Sequence, residues 1–104
     1  MDFQKILDSE KTMLLDFYAD WCPPCRAMVP VLGDLQALVG NGLFILKVDI
    51  DEQPVLAEHF QVTTVPTFIL FKKGGIVWRK TGMSSSTELQ RAVEIAANTN
   101  HISN

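Results

Sequence analysis

The chain changes its hydrophobic period at one point, and that point holds its only two cysteines. Met13-Leu14-Leu15-Asp16-Phe17-Tyr18 is a compact apolar run of strand length. Further on, Ala27, Met28, Val31, Leu32, Leu35 and Leu38 recur at helical spacing, and Gly40-Asn41-Gly42 supplies the stop. Trp21-Cys22-Pro23-Pro24-Cys25 stands between the two patterns. Such a handover predicts a strand followed closely by a helix, which restricts the chain to folds that cover a sheet with helices. Two thiols three positions apart at a helix start are close enough to close a small disulfide. The default reading of the pair is a thiol–disulfide redox centre, with half of a zinc site or an ordinary short bridge as the alternatives.

Composition bears on that choice. With 104 residues, 47% of them hydrophobic and 20% charged, the chain reads as one domain over 1–104 that needs no staples. A domain of this size buries roughly 65% of its unfolded surface. A bridge closing so few residues removes little loop entropy from the unfolded chain, which weakens the structural-bridge reading. Zinc needs a second pair of ligands, and His59 and His101 do not have paired spacing, so no metal is expected. A net charge of −3 leaves no electrostatic footprint for nucleic acid. No stretch approaches the 18 or so apolar residues of a membrane span. Met1 to Thr12 has no long apolar core of a signal peptide, so a cytoplasmic protein is expected, in a compartment that favours catalytic over structural disulfides.

The remaining patterns complete the order αβαβαββα. Asp2 to Leu7 reads as a short helix with Asp2 as cap and Phe3, Ile6 and Leu7 on one side. Leu43 to Ile50 is a second apolar run, and Gln53-Pro54 to Phe60 fits a short helix with Pro54 in its first turn. Thr67–Phe71 and Ile76–Thr81 read as strands joined by a turn at Lys72-Lys73-Gly74-Gly75. Ser86 to about Ala97 reads as the last helix, capped from Ser86-Thr87-Glu88-Leu89, with Leu89, Ala92, Val93 and Ala96 inward and Ile95 at the border. The near-continuous apolar strands predict a sheet covered on both faces, the first two strands parallel and the last two antiparallel. The expected fold class is an α/β sandwich.

Several motifs in order now carry a family resemblance: Asp16-Phe17-Tyr18-Ala19-Asp20-Trp21-Cys22-Pro23-Pro24-Cys25-Arg26, Pro30, Lys47-Val48-Asp49-Ile50-Asp51, Val65-Pro66-Thr67, Phe71-Lys72-Lys73-Gly74 and Gly82. Over nearly its whole length the chain resembles the thioredoxin family. The resemblance implies a three-layer α/β/α sandwich on a mixed sheet. The family usually carries Gly-Pro between its cysteines, where this chain has Pro23-Pro24. It also usually begins with an extra strand and a longer first helix. Here only about a dozen residues precede the first apolar run, so a sheet of about four strands is expected, lacking the N-terminal one.

The chemistry follows from a thiolate at a helix N-terminus, where unpaired N–H groups and the dipole favour an anion. Cys22 is the expected nucleophile and Cys25, one turn further, the buried resolving thiol. Pro23 and Pro24 fit a helix start, stiffen the loop and remove two N–H donors from the Cys22 sulfur, which makes them tuning residues. Asp16, ionisable within an apolar strand, is the candidate proton acceptor for Cys25, and Lys47 in the neighbouring run is its candidate partner. Alternation offers other readings: Asp16 on a solvent-facing side, Lys47 at a solvated edge. The resemblance further implies a cis Val65–Pro66 bond facing the disulfide, with the Val65 backbone pairing with an extended target segment. Trp21, Gly82 and Met83 complete an apolar rim around Cys22, with half-buried packing as the second reading of Trp21. Trp78 reads as packing or surface filler and Pro30 as a helix bend.

These implications amount to a monomeric protein-disulfide reductase that works through a Cys22–Cys25 disulfide and no bound cofactor. There is no glycine-rich dinucleotide loop, so electrons must come from outside. By resemblance the donor is a flavin-containing thioredoxin reductase, and the substrates are oxidised proteins. A disulfide oxidase or isomerase and a thioredoxin-fold interaction module whose redox activity is incidental are the alternatives.

Overall fold

The computed structural model describes Gln4, Asp8 and residues 11–98. Gln4 and Asp8 are helical and exposed; the rest of the helix expected over 2–7 lies outside the described residues. The elements that follow are β1 (Thr12–Tyr18), α1 (Pro23–Val39), a 3₁₀ turn (Gly40–Gly42), β2 (Leu43–Asp49), α2 (Pro54–His59), β3 (Thr67–Lys72), β4 (Gly75–Thr81) and α3 (Ser86–Ala97). The sheet runs in the order β2-β1-β3-β4. β1 pairs parallel with β2 and antiparallel with β3, and β3 pairs antiparallel with β4. This is the expected mixed sheet, and no strand precedes β1 among the described residues.

Side-chain alternation sends the apolar residues of the two central strands to opposite faces, which is why their sequence is almost continuously apolar. Met13, Leu15 and Phe17 of β1 and Ile69 and Phe71 of β3 pack with Leu56 and Ala57 of α2 and with Phe60, its C-cap. Leu14, Phe68 and Leu70 pack on the other face with Met28, Leu32 and Leu35 of α1 and Leu89, Ala92, Val93 and Ala96 of α3. A core side chain fully buried in this way contributes about 1.5–3 kcal/mol. The inner face of α3 is the expected one, with Ile95 outside it. On α1 the periodic set is too generous: Ala27 and Leu38 face solvent, because residues 25, 28, 32 and 35 already fill the narrow stripe that the sheet can accept.

Helix ends set the loops that carry the site. The cap of α3 is Ser85, one residue before the expected cluster; its Oγ accepts the Glu88 N–H at 3.1 Å. The β3–β4 turn is shorter than expected, because Lys72 and Gly75 still pair. Only Lys73 and Gly74 remain, both at positive φ (51° and 83°), as a type I′ turn requires. At the end of α2 the Val62 N–H reaches the Ala57 carbonyl and the Gln61 N–H the Glu58 carbonyl, both at 2.9 Å. That is a Schellman closure with Gln61, at φ 55°, where glycine is usual. Arg79 of β4 offsets the cost by donating to the Phe60 and Gln61 carbonyls. The loop held in this way leads directly to Val65 and Pro66.

Candidate active site

The strand-to-helix handover places both cysteines. Cys22 is the N-cap of α1, in extended backbone conformation, with Pro23 and Pro24 in the first two helical positions. Prolines sit there without loss because those N–H groups have no helical acceptor. Cys25 is then the first residue of the helix able to offer an N–H, and it donates to Cys22 Sγ at 3.2 Å. The two cysteines form a disulfide, with Cα atoms 5.2 Å apart. Both are nearly covered, Cys22 at 3% exposure and Cys25 at 6%, so position rather than accessibility distinguishes them.

Around the bridge lie residues from four other segments. The Val65–Pro66 peptide is cis, Pro66 is fully buried, and the Val65 carbonyl oxygen lies 3.7 Å from Cys22 Sγ. Thr67 Oγ1 donates to the Thr64 carbonyl and closes this loop on itself. Gly82, at φ 97°, donates its N–H to the Pro66 carbonyl at 2.8 Å, which sets the β4–α3 loop beside the proline. Met83 next to it is 51% exposed. Trp21 is 64% exposed, so it is not core; its indole N–H donates to Asp51 Oδ2 at 2.9 Å.

Asp16 is only 3% exposed and lies in register with Lys47 of β2 and Phe68 of β3. Alternation gives it the face of Leu14, the one that α1 covers. Burial pushes its carboxyl up to about 6, a rise that the charge of Lys47 opposes. Lys47 is itself exposed on the outer strand of the sheet, with its amine 4.7 Å over the Tyr18 ring. Burial, followed by the carboxylates of Asp49, Asp20, Glu52 and Asp16, holds the Tyr18 hydroxyl above its ordinary value. A small cavity of about 120 Å³ opens between Tyr18, Cys25, Arg26 and Lys47.

The structure thus brings the Val65 carbonyl to Cys22, sets Gly82 on Pro66, and places Asp16 opposite Lys47 in the strand pairing. Two contributors were not foreseen. Asp51 fixes the indole of Trp21, and Tyr18 receives the amine of Lys47. Asp51 does sit in a quoted motif, but nothing in an Asp-Ile-Asp loop says which side chain it will meet. His59 is exposed and edge-on to Phe60, Trp78 packs part-buried against the α1–α3 core, and His101 lies outside the described residues. Among the described residues no group of three or more His, Cys, Asp or Glu could hold a metal ion.

Fold and site together define a dithiol–disulfide exchange centre on an α/β/α scaffold. The Thioredoxin family model matches residues 1–95. A thioredoxin of Mycolicibacterium smegmatis is 42% identical over 93 residues, which are 88% of this chain and 83% of that one. The bifunctional thioredoxin reductase/thioredoxin of Mycobacterium leprae is 40% identical over 86% of this chain, which spans 19% of that longer protein. The chain likewise spans about half the length of chloroplastic Y-type thioredoxins from rice and Arabidopsis, 56% and 52%. The solved structure of oxidised mitochondrial thioredoxin 3 from Saccharomyces cerevisiae superposes with a TM-score of 0.81 at 32% identity, covering 89% of this chain and 86% of that one. The chain belongs to the thioredoxin family, whose members are thiol–disulfide oxidoreductases acting through a redox-active cysteine pair and no bound cofactor.

Proposed function

We propose that this chain is a protein-disulfide reductase, monomeric, working in a reducing compartment such as the cytoplasm. The observation that carries the reading is Cys22 as N-cap: its sulfur receives the Cys25 N–H at the positive end of a 17-residue helix, beside the part-buried carbonyl of Val65. A thiolate is favoured there once the bridge is reduced. In the forward cycle Cys22 thiolate attacks one sulfur of a target disulfide, which forms a mixed disulfide and releases the other target sulfur as thiolate. Asp16 accepts the Cys25 proton. Cys25 thiolate then attacks Cys22 Sγ, re-forms the Cys22–Cys25 bond and expels the second target sulfur. The target gains two electrons and the chain loses two.

Val65, Pro66, Gly82, Met83 and Trp21 form the docking rim, with the Val65 backbone offered to an extended target segment. A thioredoxin reductase restores the dithiol; the fusion of both activities in the Mycobacterium leprae relative supports that partner. The test is the reduction potential of the Cys22–Cys25 pair against a dithiothreitol or glutathione series, read by tryptophan fluorescence. A value close to about −270 mV agrees with a reductase, whereas one above about −200 mV refutes it in favour of an oxidase or isomerase.

A further inference from the structure

Gly82 to Ser85 carries the rim residues Gly82 and Met83 from the end of β4 into α3. Its backbone reaches the rest of the site through the Gly82 N–H to Pro66, and Met83 stands half out in solvent. Side chains do the rest of the holding, and they meet at one residue in the first turn of α3. Glu88 Oε1 accepts Ser84 Oγ at 2.6 Å and also takes Lys80 Nζ from the end of β4. The Glu88 N–H meanwhile binds the capping Ser85 Oγ. Glu88 thus ties the strand before the segment, the segment itself and the helix after it. Ser84 is buried at 8% exposure, which fixes the direction in which the loop must run. The hydrogen bonds from Lys80 and Ser84 hold the Glu88 carboxyl below its ordinary value, so it stays charged at neutral pH.

On the reading of this loop as part of the docking rim, we propose that Glu88 is a positioning residue for protein substrates. It touches neither sulfur nor target. Its carboxylate fixes the height at which Gly82 and Met83 stand beside Cys22, and hence how well a target backbone seats there. A small disulfide that needs only the sulfur does not depend on it.

The experiment compares the native chain with Glu88→Ala and Glu88→Gln on two oxidants, insulin and 5,5′-dithiobis(2-nitrobenzoate). With Glu88→Ala, KM for insulin should rise about three- to tenfold, the scale of one to two lost hydrogen bonds, with kcat and the rate on the small aromatic disulfide unchanged. Glu88→Gln keeps an acceptor for Ser84 and should recover most of the loss. Amide exchange at Gly82 should quicken about tenfold in Glu88→Ala, while amides in the middle of α1 keep their rates. Unchanged insulin kinetics, equal slowing on both oxidants, or an unchanged Gly82 amide overturns the brace. A native chain that leaves insulin intact refutes the reductase reading instead, and the Gly82 amide still reports whether Glu88 holds the loop.

Discussion

Asp16→Asn is the substitution that separates the chemistry of this site from its stability. The carboxyl is buried at 3% exposure in the centre of β1 and lifted from 3.8 to about 6, chiefly by desolvation. Here the folded value lies above the unfolded one, which is unusual for an aspartate. Between these values the folded chain holds a proton that the unfolded chain has released, so stability falls as pH rises through the window. The full penalty applies above about 6 and corresponds to about 3 kcal/mol. Asparagine has nearly the same shape and no charge to desolvate. Replacing Asp16 should therefore stabilise the protein at pH 8 by up to about 3 kcal/mol, at about 4–8 °C in Tm per kcal/mol for a domain of this size. Lys47 loses a partner but is exposed, so little is forfeited there. Urea unfolding of both oxidised forms at pH 8 and pH 4 decides the matter. The gain should nearly vanish at pH 4. An Asn variant no more stable than the native chain at pH 8, or one stabilised equally at both pH values, refutes the reasoning.

Two further expectations rest on local geometry. Replacing Pro23 by Gly restores an N–H at the helix start and loosens the loop; both favour the dithiol, so the potential should rise by at least about 15 mV, roughly 0.7 kcal/mol, in the same redox titration. A smaller movement means that the Pro-Pro pair does not tune the site. Arg79→Ala leaves the Phe60 and Gln61 carbonyls without their guanidinium and exposes the cost of Gln61 at positive φ; urea unfolding should show a loss of about 1–2 kcal/mol.

Much of this arrangement was legible in residue order. Periodicity placed the described strands and helices to within a residue or two, because the two central strands are buried on both faces and the turns between them carry glycine or proline. The cysteine pair placed the centre, a lone carboxylate in an apolar strand and a lysine in the neighbouring run marked Asp16 and Lys47, and the family resemblance pointed to Val65 and Pro66. What could not be read are side-chain meetings across long sequence distances. Nothing local links Trp21 to Asp51 or Arg79 to the end of α2, because those bonds exist only after β2, α2 and β4 have been brought together. Asp16 was ambiguous for a related reason: a lone carboxylate in a strand is solvated or buried according to whether a helix lies over it, and that is a tertiary fact. The cap at Ser85 was displaced by one residue because three serines in a row, Ser84 to Ser86, offer the same hydroxyl chemistry.

The N-cap of α1 has one more consequence. The atom that starts the longest of the described helices is also the atom that is oxidised and reduced, so each redox event rewrites a helix terminus. Folding and oxidation therefore form the sides of one thermodynamic square. The difference in unfolding free energy between the bridged and reduced chains must equal the difference in bridge-forming tendency between the folded and unfolded pair, with every 30 mV of potential answering to about 1.4 kcal/mol. A substitution that makes the folded protein a better reductant and leaves the unfolded pair unchanged shifts the stability difference toward the bridged form by that same amount. Two melting curves, one in each redox state, can thus be used to check the electrode.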